Sequence, residues 1–228
     1  GMVMVGAIIA NKSPVNLTQT TPIARLTGEF QVVVVPAQSN IKTLTELMSA
    51  LKANPGGVSW AGGSAGGTDH ILVGMLGQTV GVDPRAMSYV AYSGGGPALA
   101  ALLGNQVTAG VSGYGEFAEQ IKAGKLRAIG LSSDKRIAGI EIATLKEQGV
   151  NVELFNWRGV FAPPGITEAE RAAMMGLVER MAKSPAWEAE VTKRDWTAIY
   201  LAGDAFKDYI ASETTRIEAV LKSLGLAA

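Results

Sequence analysis

The feature that most constrains this chain is a glycine-rich turn set between a short apolar run and a helical pattern. Val58-Ser59-Trp60-Ala61 reads as a strand, Gly62-Gly63-Ser64-Ala65-Gly66-Gly67-Thr68 as a loop of small residues, and Ile71, Leu72, Met75 and Leu76 recur at helical spacing. First-turn N–H groups of such a helix have no intrahelical partner, and the aligned peptide dipoles put partial positive charge there. Glycines in the turn let a ligand come close to the main chain. The arrangement returns about thirty residues on, where Tyr89-Val90-Ala91-Tyr92 reads as a strand and Ser93-Gly94-Gly95-Gly96 opens a helix at Pro97, a residue pre-set for a first helical turn. Two such turns facing one cleft make a site for a small polyanion, with no charged side chain required in either.

Around these turns strand and helix patterns alternate. Ile23 to Phe30 and Gln31 to Val35 read as extended, with Gly28 as a bend between them and the valine run as a strand buried on both faces. Thr43 and Glu46 form a capping box for a helix over 43–53, with Leu44, Leu47, Met48 and Leu51 on one face. Further on come a short helix over 98–103, a strand over 106–111, a third flexible turn at Gly113-Tyr114-Gly115, a helix over 117–123 and a strand over 126–131. The last third reads as a short helix over 144–148, a strand over 157–162, a helix opened by the Thr167/Glu170 capping box, another from Pro185, a strand over 197–200 and an amphipathic helix over 204–224. This alternation predicts an α/β chain with a largely parallel sheet and helices on both sides. Residues 1–10 are apolar, too short to span a bilayer and without a basic start, so they read as a buried helix or strand of the core rather than a targeting remnant. Their abrupt start reads as if a first structural unit were missing.

Charge and rare residues narrow the function. Twenty basic and twenty acidic residues cancel, leaving no basic field for nucleic acid or an anionic membrane. Without cysteine there is no thiol catalysis, cysteine zinc site or disulfide; His70 is the only histidine and no carboxylate cluster surrounds it, so neither a metal nor a cofactor is expected. No lysine follows either glycine run, as a phosphate-binding P-loop would need. Gly62-Gly63-Ser64-Ala65-Gly66 does fit the G-x-S-x-G elbow of serine hydrolases, which makes an enzyme built on Ser64 the alternative reading. That reading needs a histidine late in the chain, whereas His70 lies six residues beyond Ser64, nearly on the opposite helix face.

Several side chains carry two readings each. His70 either points at a ligand or satisfies neighbouring backbone, and Tyr92 and Tyr114 either donate a hydroxyl or pack as aromatics. Asp69 is expected to cap its helix, since beside a bound carboxylate it would repel. Glu116 is expected at a lip or helix start. Arg158 either grips a carboxylate bidentately or forms a salt bridge across a hinge.

Four blocks in order then carry a resemblance over essentially the whole chain. They are Gly63-Ser64-Ala65-Gly66-Gly67-Thr68 with His70 and Leu72; Tyr92-Ser93-Gly94-Gly95-Gly96-Pro97-Ala98; Ile121-Lys122-Ala123-Gly124-Lys125-Leu126-Arg127-Ala128; and Trp157-Arg158-Gly159 with Ala162-Pro163 and Gly165. Together they resemble the Bug-type, TctC-like receptors, the extracytoplasmic substrate-binding proteins of tripartite tricarboxylate transporters. The resemblance implies a two-lobed periplasmic-binding-protein architecture of type II kind with mixed, mostly parallel sheets, and no enzymatic activity. It implies a periplasmic, monomeric receptor that closes on citrate or another di- or tricarboxylate and delivers it to membrane subunits. Carried over by position, Ser64, Ala65, Gly66, Gly67 and Thr68 would be one binding loop and Ser93, Gly94, Gly95 and Gly96 the next, with His70, Tyr92, Tyr114 and Arg158 beside them. The family's usual first strand and Pro-Gly-Gly loop do not occur, and Ser93 and Arg158 stand where a lysine and an aromatic are common, a pattern closer to a citrate-receptor branch. The expected division is residues 1–30 and 158–228 in one lobe and 31–157 in the other, hinged near Gly28 and Trp157.

Overall fold

In the computed structural model, which describes residues 1–227, one long strand organises both halves of the molecule. Strand β1 (Thr21–Pro36) carries Val32, Val33, Val34 and Val35, all fully buried. Successive side chains of a strand point to opposite faces, so a run of β-branched residues without alternation must be covered on both sides. Val33 and Val35 pack with Leu44, Leu47 and Leu51 of α2 (Leu44–Ala53) and Leu72 and Leu76 of α3 (Thr68–Thr79). Val32 and Val34 pack with Ala98 and Leu102 of α4 (Gly95–Leu103) and Phe117 of α5 (Tyr114–Lys122).

The 31–36 half of β1 lies between β4 (Ala109–Gly113) and β5 (Leu126–Leu131), antiparallel to both. Its 21–30 half is paired, again antiparallel, with β6 (Phe155–Ala162) and β7 (Thr197–Ala202). Outside β4, β2 (Ser59–Gly62) and β3 (Ser88–Ala91) complete the order β3-β2-β4-β1-β5. The α/β, mixed-sheet expectation holds. The parallel ladders are those of β2 with β3 and with β4, because β1 runs against its four partners.

Trp157 of β6 is fully buried, with its ring edge-on to Phe206 at 5.7 Å and to Tyr209 at 5.6 Å, both on α8 (Gly203–Ser223). Residues 2–10 form α1 (Met2–Ala10), whose Met2 and Val5 join this core. The other end of α8 reaches α3, where a Cβ on Gly74 would come within 2.6 Å of Leu224 Cδ2. Among the described residues no helix is long and apolar enough to cross a membrane.

Four local expectations shift. Gly28 stays inside extended β1 instead of bending it, and its missing side chain makes room for the Phe155 ring, which a Cβ would approach to 2.8 Å. No separate turn forms at Gly113: β4 runs directly into α5, which begins at Tyr114. The helix over 144–148 shrinks to a 3-10 turn at Lys146–Gln148, because Thr144 is tied to Leu131 in a bridge and Gly149 stops the turn in a left-handed conformation. The helix at Pro97 starts earlier, at Gly95, with the proline still inside its first turn, where no hydrogen bond is lost. The capping boxes at Thr43/Glu46 and Thr167/Glu170 open α2 and α6 (Glu168–Ala182) as expected, and Ser184 caps α7 (Pro185–Lys193). No residue of α6 is buried.

Phe206→Ala should therefore cost about 3–5 kcal/mol in urea unfolding, since it empties the space between Trp157 and Phe161. Leu177→Ala on α6, where Leu177 is 61% exposed, should change stability by no more than about 0.5 kcal/mol.

Candidate functional site

At the C-terminal ends of the parallel strands β2, β3 and β4 the chain turns three times into a helix. Ligands bind beyond these ends in open α/β sheets, where helix N-termini collect. Here the N-cap positions of α3, α4 and α5 are Gly67, Gly94 and Gly113, none of which can supply a side-chain cap, whereas α2, α6 and α7 are capped by Thr43, Thr167 and Ser184. Gly63, Ser64, Gly67, Thr68, Gly94, Gly95 and Gly113 all line one cleft of about 190 Å³.

The opposite wall comes from one face of the β1–β6 ribbon. Glu29 is registered with Asn156 and Thr27 with Arg158, so period-2 alternation sends Glu29, Gln31, Asn156 and Arg158 to the cleft side while Trp157 goes to the core. Arg158 Nη2 donates to Glu29 Oε2 at 3.0 Å, and the guanidinium carbon lies 4.9 Å from the Trp196 ring centroid. Its Nη1 is buried without a hydrogen-bond partner, as is Thr68 Oγ1, on a residue only 4% exposed at the start of α3. Glu116, at the start of α5, accepts a hydrogen bond from the Ser112 hydroxyl.

The first turn is propped by its own side chains. Gly63 N–H donates to Asp69 Oδ2 at 2.8 Å, Gly66 N–H to His70 Nδ1 at 3.1 Å, and the Tyr89 hydroxyl to the Gly63 carbonyl at 2.8 Å. The His70 and Tyr89 rings stack 4.1 Å apart, 6° from parallel. Burial holds His70 below the usual imidazole range, so it stays neutral; with Nδ1 accepting, its proton sits on Nε2. Neither nitrogen is then free to take a proton from Ser64, which removes the base that a hydrolase would need. Burial pushes the Asp69 carboxyl up to about 7 against the Gly63 hydrogen bond, helped by the charges of Glu116 and Glu29. Glu29 is also raised by burial, opposed by Arg158.

A roomier hollow of about 350 Å³ lies among Leu17, Thr21, Arg171, Asp204 and Ile210. Its helix starts already carry Glu168 and Asp204, both within 3.7 Å of Arg171, so they offer nothing free to an anion. Residues 9–226 match the tripartite tricarboxylate transporter family receptor. The chain belongs to this family. Its members are substrate-binding receptors rather than enzymes. A protein of Cupriavidus necator, encoded in the gbd 5' region, is 28% identical over 90% of this chain and 62% of its own length. The curated relatives matched first are spanned over 62%, 58% and 64% of their lengths. Among solved structures, the periplasmic binding protein BugD superposes with a TM-score of 0.83 at 19% identity, over 99% of this chain and 76% of BugD. MatC of Rhodopseudomonas palustris, with bound malate, superposes with a TM-score of 0.79 at 23% identity, over 96% of this chain and 76% of MatC.

Within this family receptor, Ser64, Gly67, Thr68, Gly94, Gly95 and Arg158 are brought together in the cleft as the sequence led one to expect. Ala65, Gly66, His70, Tyr92, Ser93, Gly96 and Tyr114 do not line it. Gly66 is turned under Ala10 and Leu221 at a left-handed φ of 73°, and Tyr114 is buried against α4 and β1, so α5 offers its backbone start and not a phenol. Ala65, Ser93 and Gly96 face solvent on the outer sides of their turns. Gln31, Ser112, Gly113, Asn156 and above all Glu29 line the cleft and were missed. The available signal was Glu29 and Gln31 two apart at the mouth of the buried valine run.

Raising a carboxyl from 3.8 to about 7 gives a stability term with a definite sign. Between these values the unfolded chain has lost the proton that the folded chain keeps, so stability falls as pH rises through that window and is flat beyond it. Asp69→Asn should raise the urea midpoint at pH 8 and leave it nearly unchanged at pH 4; equal effects at both would mean an ordinary carboxylate.

Proposed function

We propose that the chain is an extracytoplasmic solute receptor that binds a small carboxylate in the cleft between the β2–β3–β4 turns and the β1–β6 ribbon, and passes it to the membrane subunits of a tripartite transporter. The observation that carries this reading is the meeting of three helix starts, none with a side-chain cap, at one cleft with two unpartnered donors, Thr68 Oγ1 and Arg158 Nη1. The malate held by the similarly folded MatC supports the ligand class. A periplasmic place and action as a monomer follow from the same family reading. Four or five charge-assisted hydrogen bonds of about 1.5–3 kcal/mol each cover micromolar affinity, about 8 kcal/mol, after ordering costs.

Arg158 changes the expected preference. One of its amino groups already donates to Glu29, so a bidentate grip on a ligand, the reason for favouring a di- or tricarboxylate such as citrate, would have to compete with that pair. We place the lobes at residues 1–30 with those from 158 onward, and 31–157. The hinge is where β1 leaves β6 and β7 for β4 and β5, and the ligand favours closure by binding the closed form more tightly.

A thermal-shift screen of small carboxylates, amino acids included, tests the reading. A ligand at a hundred times its Kd stabilises by about 2.7 kcal/mol. Thr68→Val should weaken the ligand found about tenfold while leaving the free protein's melting temperature unchanged or higher, because the hydroxyl has no partner to lose. No shift from any acid, or full affinity in the valine variant, would count against this site.

A further inference from the structure

We infer that the ligand carries a cationic nitrogen beside its carboxylate, as an amino acid does, with the nitrogen received by Glu116 and Glu29 and the carboxylate by Thr68 and Arg158. This rests on the receptor reading above and specifies its substrate class.

The cleft is acidic, contrary to what its neutral loops promised. Glu29, Asp69 and Glu116 line it against one guanidinium, that of Arg158, which is already joined to Glu29 at 3.0 Å. Both glycine turns are faced by a carboxylate of the protein itself. Asp69 Oδ2 takes the Gly63 N–H, and Glu116 Oε2 lies so close over Gly95 that a Cβ there would overlap it. Gly113 is likewise overlaid by the Glu29 carboxylate. A ligand with two or three carboxylates would bring further negative charge among these groups at close range, where like charges are costly. A nitrogen cation lowers that repulsion instead. The Glu116 charge adds to burial in pushing both Glu29 and Asp69 upward, as like charges held this close must.

A second, independent observation points to a ligand here. Thr68 is 4% exposed, lines the cleft, and has a hydroxyl with no partner; Arg158 is half-buried, but its Nη1 atom is buried and likewise has no partner. Buried polar groups are ordinarily hydrogen-bonded, so these two donors are held for an acceptor that arrives from outside. A carboxylate meets that need, and the amides at the start of α3 assist it. A metal ion does not fit the acidic side: among the described residues no three His, Cys, Asp or Glu side chains are close enough to hold one. An ammonium on a carbon frame spans a wider gap and donates single hydrogen bonds to separate carboxylates.

Calorimetric titration of the full chain with matched acids tests this directly. The pairs are aspartate against malate and succinate, and glutamate against glutarate. The amino member of at least one pair should bind tenfold or more tightly than its partner, and Glu116→Gln, which retains an acceptor for Ser112, should reduce that preference below threefold. Plain diacids binding as tightly as the amino acids, or a preference untouched by Glu116→Gln, would overturn the inference and leave the receptor reading standing. Binding of neither class would overturn both.

Discussion

The structure depends on a single strand being shared by two sets of partners. β1 supplies the central pairing for β4 and β5 with one half and for β6 and β7 with the other, and its valines are the floor on which α2 through α5 rest. Burying four valines on both faces removes any register in which this segment could slip without exposing apolar surface. The positions of Glu29 and Gln31, just before the valine run, are therefore set by packing several residues away. Cleft chemistry here is a by-product of core registry.

The two walls of the cleft are built on different principles. On the helix side, close approach is obtained by leaving out side chains, and the backbone is then propped by Asp69, His70 and Tyr89. On the ribbon side, polar side chains are held out by strand alternation and fixed by a charge pair, Glu29 with Arg158. Glycine at 113 follows from the second wall, since the Glu29 carboxylate occupies the volume a Cβ would need, and glycine at 95 makes the same room for Glu116 of α5. Small residues in these turns thus make room for the protein's own acids as well as for a ligand.

Much of this was legible in the chain, and the limits have physical causes. Strand-turn-helix units, capping boxes and helix ends depend on residues within a few positions of one another, so α2, α6, α8 and both glycine turns could be read locally. Strand direction is a long-range property, and nothing near Gln31 says that it will face Gly113 in an antiparallel ladder. The partner of Arg158 lies 129 residues away, which is why a free bidentate arginine and a paired one looked alike. His70 kept two readings for a different reason, and the backbone-satisfying one is what the structure shows. Its ring closes a four-residue loop back to Gly66, a local bond, but the stacking on Tyr89 that fixes it comes from the neighbouring strand.

β1 also carries interruptions in its pairing between Arg25 and Thr27 and between Val33 and Val34, on either side of Glu29 and Gln31. The stretch between them is a uniform ribbon in which polar and aromatic side chains take turns. Adding or deleting one residue there would exchange the two faces, bringing Phe30 to the opening and driving Glu29 toward the Phe155 side. Descendants of this chain are thus free to retune what they accept by swapping side chains, while any change of length within that ribbon would turn the binding surface inside out.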